Sequence, residues 1–216
     1  MPARDAILGR IRAALADDPP LQKPPVPEVW PREDPPPDEM AERFARELEA
    51  IGGEMIRLAS LEEAAAKLAE LADAAGWRKI AAVDRPLCRQ VAASLGDGRV
   101  DWSAEAADPN EMASLDAGLV EADYLLADTG TAMIACGTPR ERLLCYLPPV
   151  SVIVAETGRL VEHMPAVWGE VAGRCAEPDL RGEFVFITGP SRTADIEKIL
   201  ILGVHGPKRL VVLLVD

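Results

Sequence analysis

The stretch Phe184-Val-Phe-Ile-Thr-Gly-Pro-Ser-Arg-Thr-Ala-Asp-Ile-Glu197 decides how the chain is read. It opens as an apolar run, FVFIT, with the composition of a buried strand. Gly189-Pro190 breaks the run. From Thr193 onward the pattern Thr-Ala-Asp-Ile-Glu-Lys-Ile-Leu-Ile-Leu predicts a helix. Polar residues therefore gather where a strand ends and a helix begins. Proteins of the α/β class place ligands there, because the unpaired N–H groups of a first helical turn attract anions. Gly189 lets a ligand approach the backbone. Ser191 or Thr193 can cap the helix, and Asp195 opposes the positive end of its dipole. Capping accounts for these residues without a ligand. It does not call for Arg192, whose forked guanidinium suits a carboxylate or phosphate.

Upstream, Ala122-Asp-Tyr-Leu-Leu-Ala-Asp-Thr-Gly-Thr131 reads as a strand over residues 123–127 followed by a turn. A second strand follows directly over residues 132–136, so this region predicts a hairpin. Two hydroxyls flank Gly130. Such a turn can offer N–H and O–H donors to an anion, or simply bond its own backbone. If the strands before Asp128 and before Gly189 run parallel as near neighbours, both loops open at one carboxyl edge. One crevice would then hold Thr129, Thr131, Ser191 and Arg192. His205, in Gly203-Val-His-Gly-Pro207, reads as a structural hydrogen-bonder with acid–base work left open. His163 has no supporting context. No Ser-His-Asp arrangement, phosphate-binding Walker loop or GxGxxG is present.

These stretches carry a resemblance. GPSRTADIE with GVHGP and a last apolar strand, the acidic segment ending in TGT, and Leu147-Pro-Pro-Val-Ser-Val-Ile-Val154 resemble, in kind and order, the signature of the LUD (DUF162) family in its lactate utilization C branch. The resemblance implies the fold shared by glucosamine-6-phosphate isomerase, ribose-5-phosphate isomerase and CoA transferases. It also implies a part in oxidising L-lactate to pyruvate, beside partner proteins that carry iron–sulfur clusters. This chain would then hold no cofactor of its own and would bind a small anion. The candidate ligand residues are Asp128, Thr129, Gly130, Thr131, Gly189, Ser191, Arg192, Thr193, Asp195 and His205. Two other classes stay open: a stand-alone enzyme acting on a sugar phosphate or CoA ester, and a non-catalytic scaffold or regulator of the lactate complex.

Composition narrows the partners. A chain of 216 residues can bury one sizeable core. Aromatics make up only 4% of it, so the core should be built from Ala, Val, Ile and Leu. A net charge of −13 repels phosphate backbones and anionic lipid, which argues against nucleic acid and membrane as partners. No segment reaches the roughly 20 apolar residues of a membrane helix. The N-terminus, MPARDAILGRIRAALADDPP, is broken by Arg10 and Arg12 and does not read as a signal peptide, so a cytoplasmic chain is expected. The cysteines, Cys88, Cys136, Cys145 and Cys175, form no CxxC pair. They read as free thiols rather than cluster ligands, and with His163 and His205 they lack zinc spacing.

Residues 5–16 predict a short amphipathic helix with Ile7, Leu8, Ile11 and Leu15 on one face. A Pro-rich tract over residues 19–37 forbids helix and central strand. Residues 1–37 are thus an arm: a disordered tail, or a device that buries its helix on a neighbouring subunit and so makes a homo-oligomer. The domain proper spans residues 38–216. Asp38 should cap a helix through Ile51, EMIRL should be a strand, and Ser60 with Glu63 should open an Ala/Leu-rich helix ending at Gly76. Further strands are expected over residues 79–83, 99–102, 151–155 and 209–215, and helices from Pro86, near Glu111 and over residues 164–174. Strands alternating with helices give an α/β fold: a mainly parallel sheet with helices on both faces.

Overall fold

A computed structural model describes residues 2–16, 30–96, 98–102, 108–176, 183–193, 201–203 and 205–216. The chain divides into two units, Met1–Pro31 and Arg32–Asp216. In the first, helix α1 spans Pro2–Leu15 and leaves Ile7, Ile11 and Leu15 exposed. The second runs α2 (Pro37–Ala50), β1 (Glu54–Leu58), α3 (Leu61–Ala75), β2 (Ile80–Ala82), α4 (Pro86–Val91), β3 (Val100–Asp101), α5 (Pro109–Ala113), β4 (Ala117–Glu121), β5 (Tyr124–Leu126) and β6 (Thr131–Ala135). It continues through α6 (Pro139–Leu144), β7 (Val150–Glu156), β8 (Leu160–Val161), α7 (Met164–Arg174), β9 (Phe184–Ile187), β10 (Arg192–Thr193), β11 (Ile201–Leu202) and β12 (Arg209–Val215). No helix among the described residues is long and apolar enough to cross a membrane.

The main sheet has six strands in the order β1-β12-β7-β4-β2-β3, and every neighbouring pair is parallel. Its middle strands are unbroken apolar runs: Leu210 through Val215 are all buried, as are Val152 through Ala155. Such runs need cover on both faces. α3 packs with α4, and α5 with α6. Right-handed crossovers put these two pairs on opposite faces. α3 starts where expected: the Ser60 hydroxyl accepts from Glu63 N–H at 3.3 Å, and the Glu63 carboxylate accepts from Ala59 N–H at 2.9 Å. Gly76 ends it in the left-handed region at φ 68°. α2 departs from expectation. Its cap position is Pro36 with no side-chain bond, and Asp38 sits in the first turn, paired with Arg57 at 2.7 Å.

The sheet does not account for all strands. β4 runs into β5 after only Ala122 and Asp123, and β7 runs into β8 through the 3₁₀ turn Thr157–Arg159. Both therefore carry on past the carboxyl edge of the main sheet into a second one, of order β8-β5-β6-β9. There β5 and β6 form the expected hairpin, β8 joins β5 in parallel, and β9 joins β6 antiparallel. The FVFIT run is thus an edge strand of the second sheet, with Phe186 44% exposed, rather than a buried strand of the first. α7 covers one face of this sheet through Val167 and Val171, packed on Tyr124, Leu126 and Met133.

The helix expected from Thr193 meets strand at both of its described ends. Arg192 and Thr193 form β10, paired antiparallel with Leu202 and Ile201 of β11. Ser191 explains the extended start: its N–H donates to the Pro207 carbonyl and its carbonyl accepts from Gly203 N–H, both at 2.8 Å. Residues 194–200, Asp195 among them, lie outside the described residues.

Asp123 fastens the two sheets at their junction. One carboxylate oxygen accepts from Ala135 N–H at 2.7 Å and pairs with Arg85 at 3.1 Å, while the other accepts from Arg174 at 2.6 Å. Arg85 also donates to the Ala135 carbonyl. Burial pushes the Asp123 carboxyl up, but the Arg85 charge, the Ala135 N–H and Arg174 together outweigh it and hold it below the usual range. A carboxyl held low stabilises the folded chain at neutral pH, and that contribution is lost as pH falls through the folded value. Asp123→Asn should cost on the order of 3 kcal/mol at pH 7. The gap to the parent chain should narrow below about pH 4, where the unfolded carboxyl takes up its proton. Urea midpoints at pH 7 and pH 3.5 check this, and an equal gap at both would remove the charge of Asp123 from the account.

Candidate functional site

β5 and β9 run in the same direction with β6 between them. The turn Asp128-Thr-Gly-Thr131 and the loop Gly189-Pro-Ser-Arg192 therefore open at one end of the second sheet. The register that sets Ala132 against Ile187 brings Thr188 opposite Thr131. Their hydroxyls bond at 3.0 Å, and Thr131 bonds Thr129 at 2.8 Å. Thr129 in turn donates to the Asp128 carboxylate at 3.2 Å. That last bond fixes the others. A hydroxyl has one proton, so the row runs from Thr188 to Thr131 to Thr129 to Asp128. Thr131 is 4% exposed, while Thr129 and Thr188 face solvent. With the row's protons so committed, positive charge for an anion must come from elsewhere.

Arg192 supplies it. The side chain is exposed, and no described carboxylate pairs with it. It lies over the turn that ends α2: a Cβ built on Gly52 would stand 3.1 Å from its Nη2. The other two loop glycines meet the same helix end. A Cβ on Gly189 would meet Ile51 Cδ1 at 3.0 Å, and one on Gly130 would meet the Leu48 backbone nitrogen at 2.5 Å. Thus the last turn of α2 is the post against which both loops are set. Gly130, with φ 62°, is a packing requirement first. His205 is exposed, and its neighbour Gly206 packs on Ser191. The structure therefore gathers Asp128, Thr129, Gly130, Thr131, Gly189, Ser191 and Arg192 around one helix end, with the loop of His205 behind Ser191.

Three features escaped the sequence. Thr188 closes the hydroxyl row, and its signal was only its place at the end of an apolar run. Glu162 and His163 follow β8 and are 7% and 4% exposed. Asp128 N–H donates to the Glu162 carbonyl at 3.1 Å, so this pair adjoins the turn. Finally, a crevice of about 150 Å³ opens at the junction of the sheets, lined by Pro86, Leu87, Gln90, Glu121, Ala122, Glu156 and Arg159. It lies at the carboxyl ends of β4 and β7, where α/β sheets take ligands. Cys88, Cys136 and Cys145 are buried and Cys175 is exposed. Burial pushes the Cys88 thiol up, and a hydrogen bond from the Cys145 thiol to Cys136 together with burial does the same to Cys145. Neither is a ready thiolate. Among the described residues no three His, Cys, Asp or Glu side chains converge as metal ligands would.

Residues 41–215 match the model of the LUD domain. Among curated proteins, a lactate utilization protein C of Bacillus pumilus is 34% identical over 119 residues, 53% of this chain and 50% of that one. Another, from Halalkalibacterium halodurans, is 35% identical over 102 residues, 47% of this chain and 44% of that one. The chain spans about half the length of the curated relatives it matches. Among solved structures, a DUF162 family protein from Deinococcus radiodurans superposes with a TM-score of 0.63 at 19% identity, covering 84% of this chain and 99% of that one. At that identity the likeness shows the fold.

Replacing Gly130 by Ala should separate packing from backbone strain. At Gly76, also left-handed but with nothing within 4 Å of a Cβ, Gly→Ala should cost about 1 kcal/mol. At Gly130 the same strain adds to a clash with the α2 backbone, and the loss should exceed about 2 kcal/mol. Equal losses in denaturant melts would mean that the turn does not bear on α2.

Proposed function

This chain belongs to the LUD-domain family, and from that premise we propose that it serves L-lactate utilization by binding a small carboxylate anion between the Asp128–Thr131 turn and the Gly189–Arg192 loop. The names of its relatives support the pathway. The observation that carries the site is the joining of the two loops by the Thr131–Thr188 bond, with an exposed Arg192 beside them that no described carboxylate pairs. A guanidinium meets a carboxylate with two parallel N–H bonds, which fix orientation as well as charge. The Thr row, aligned by Asp128, then shapes the neighbouring wall.

In this reading the electrons of lactate oxidation pass to iron–sulfur partner proteins. The chain's buried thiols, two of them held protonated, do not suit cluster assembly, which needs several thiolates at one place. The residues present thus fit the role of a binding subunit that presents an anion to a partner. The purified chain should carry far less than stoichiometric iron and acid-labile sulfide after anaerobic preparation. One cluster's worth of iron per chain would overturn the division of labour.

Arg192→Ala tests the site. As an exposed side chain without a described partner it should change stability by less than about 0.5 kcal/mol. Loss of a charge-assisted pair of bonds should weaken anion binding by about 1.5–3 kcal/mol. A strain carrying the variant should grow poorly on L-lactate while the variant protein melts like its parent. Normal growth would discard Arg192 as the anchor, and a collapsed melt would make it structural.

A further inference from the structure

We infer that Glu162 and His163 form a pair that reads the hydroxyl group of a small hydroxy acid, beneath a strap made by residues 32–36. This rests on the anion reading above and deepens it, since it names what distinguishes the ligand from other small carboxylates.

His163 caps α7, its Nδ1 accepting from Ala166 N–H at 3.2 Å. A ring nitrogen that accepts carries a lone pair, so the ring proton sits on Nε2. That Nε2 is buried and meets no hydrogen-bond partner among the described residues. Beside it lies the Glu162 carboxylate, also buried, whose Oε2 is 3.8 Å from Nε2. This is too far for a hydrogen bond. The same oxygen accepts from Glu33 N–H of the strap at 3.0 Å, and no described Lys or Arg pairs with Glu162. A donor without an acceptor thus faces a carboxylate without a cation, both out of water. Buried polar groups in that condition are uncommon and ask for an explanation.

The chemistry of the gap selects its occupant. A carboxylate would be repelled by Glu162. An ammonium would satisfy Glu162 and leave Nε2–H orphaned. A hydroxyl accepts from Nε2–H and donates to the carboxylate at once, and an oxygen about 2.8 Å from each spans a 3.8 Å separation. The pair adjoins the Asp128 turn through the bond from Asp128 N–H to the Glu162 carbonyl. Entry requires the strap to lift. Its residues 32–34 are exposed, Asp34 holds a left-handed φ of 47°, and its bond to Glu162 is a single N–H.

The test compares L-lactate with propionate, which has the same carbon skeleton and no hydroxyl, by calorimetry on the full chain. The parent protein should bind L-lactate at least about 10-fold more tightly, because a site built to bond a hydroxyl is left unpaired by the analogue that lacks it. Glu162→Met removes the acceptor at similar size. His163→Asn keeps a cap for α7 but removes Nε2–H. Each should bring the ratio of the two affinities close to 1 and leave propionate binding within about 3-fold of the parent. Equal binding of the two acids by the parent chain would overturn the pair's role while leaving the anion site standing. A ratio preserved in either variant would overturn it too. Binding of neither acid would defeat the anion reading, and this inference with it.

Discussion

The carboxylate of Asp123 fixes the joint between the main sheet and the second sheet. It sits at the step where β4 ceases to be a strand of the parallel sheet and becomes, two residues later, a strand of the second. Two arginines from different elements and the Ala135 N–H converge on it. Arg85 follows β2, Arg174 ends α7, and Ala135 ends β6. One anion therefore fixes the main sheet, the second sheet and its covering helix at a single point. Partial burial makes the arrangement costly to leave half-paired, which is what makes it definite.

From that point the architecture places the candidate loops. Continuing β4 and β7 past the carboxyl edge closes over much of the edge that α/β proteins usually leave open, and moves the loop-bearing rim onto the second sheet. α2 then limits what the loops can be. Its last turn touches Gly130, Gly189 and Arg192 in succession, so two of the contacts require glycine and the third leaves a cation on the surface. The hydroxyl row is ordered by Asp128 rather than by a ligand. What remains for ligand chemistry among the described residues around the loops is the exposed charge of Arg192 and the pair Glu162 with His163.

Much of this was legible in the chain. EMIRL is β1, residues 164–174 are α7, the Ser60–Glu63 pattern caps α3, and the hairpin at Gly130 is present. These are local signals: period, cap residues and turn residues. The assignment of strands to two sheets was not legible, because an apolar strand reads the same in either. FVFIT looked fully buried and is an edge. The strand at Arg192–Thr193 was not legible, because Ser191 is drawn into extended pairing by Pro207 and Gly203, which are near in space and lie well along the chain. α6 was passed over, although Thr138 and Glu141 carry its capping pattern, with Glu141 N–H donating to the Thr138 hydroxyl. His163 showed no context because its context is burial, which belongs to the fold and not to its neighbours in sequence.

The central claim is that a small carboxylate binds where the two loops meet. The direct measurement is a crystal structure of the full chain grown with L-lactate. The account predicts density for one lactate with its carboxylate on the Arg192 guanidinium, between Thr188 and the Asp128 turn. Lactate seated instead in the crevice between Pro86 and Arg159, with Arg192 unchanged, would contradict it.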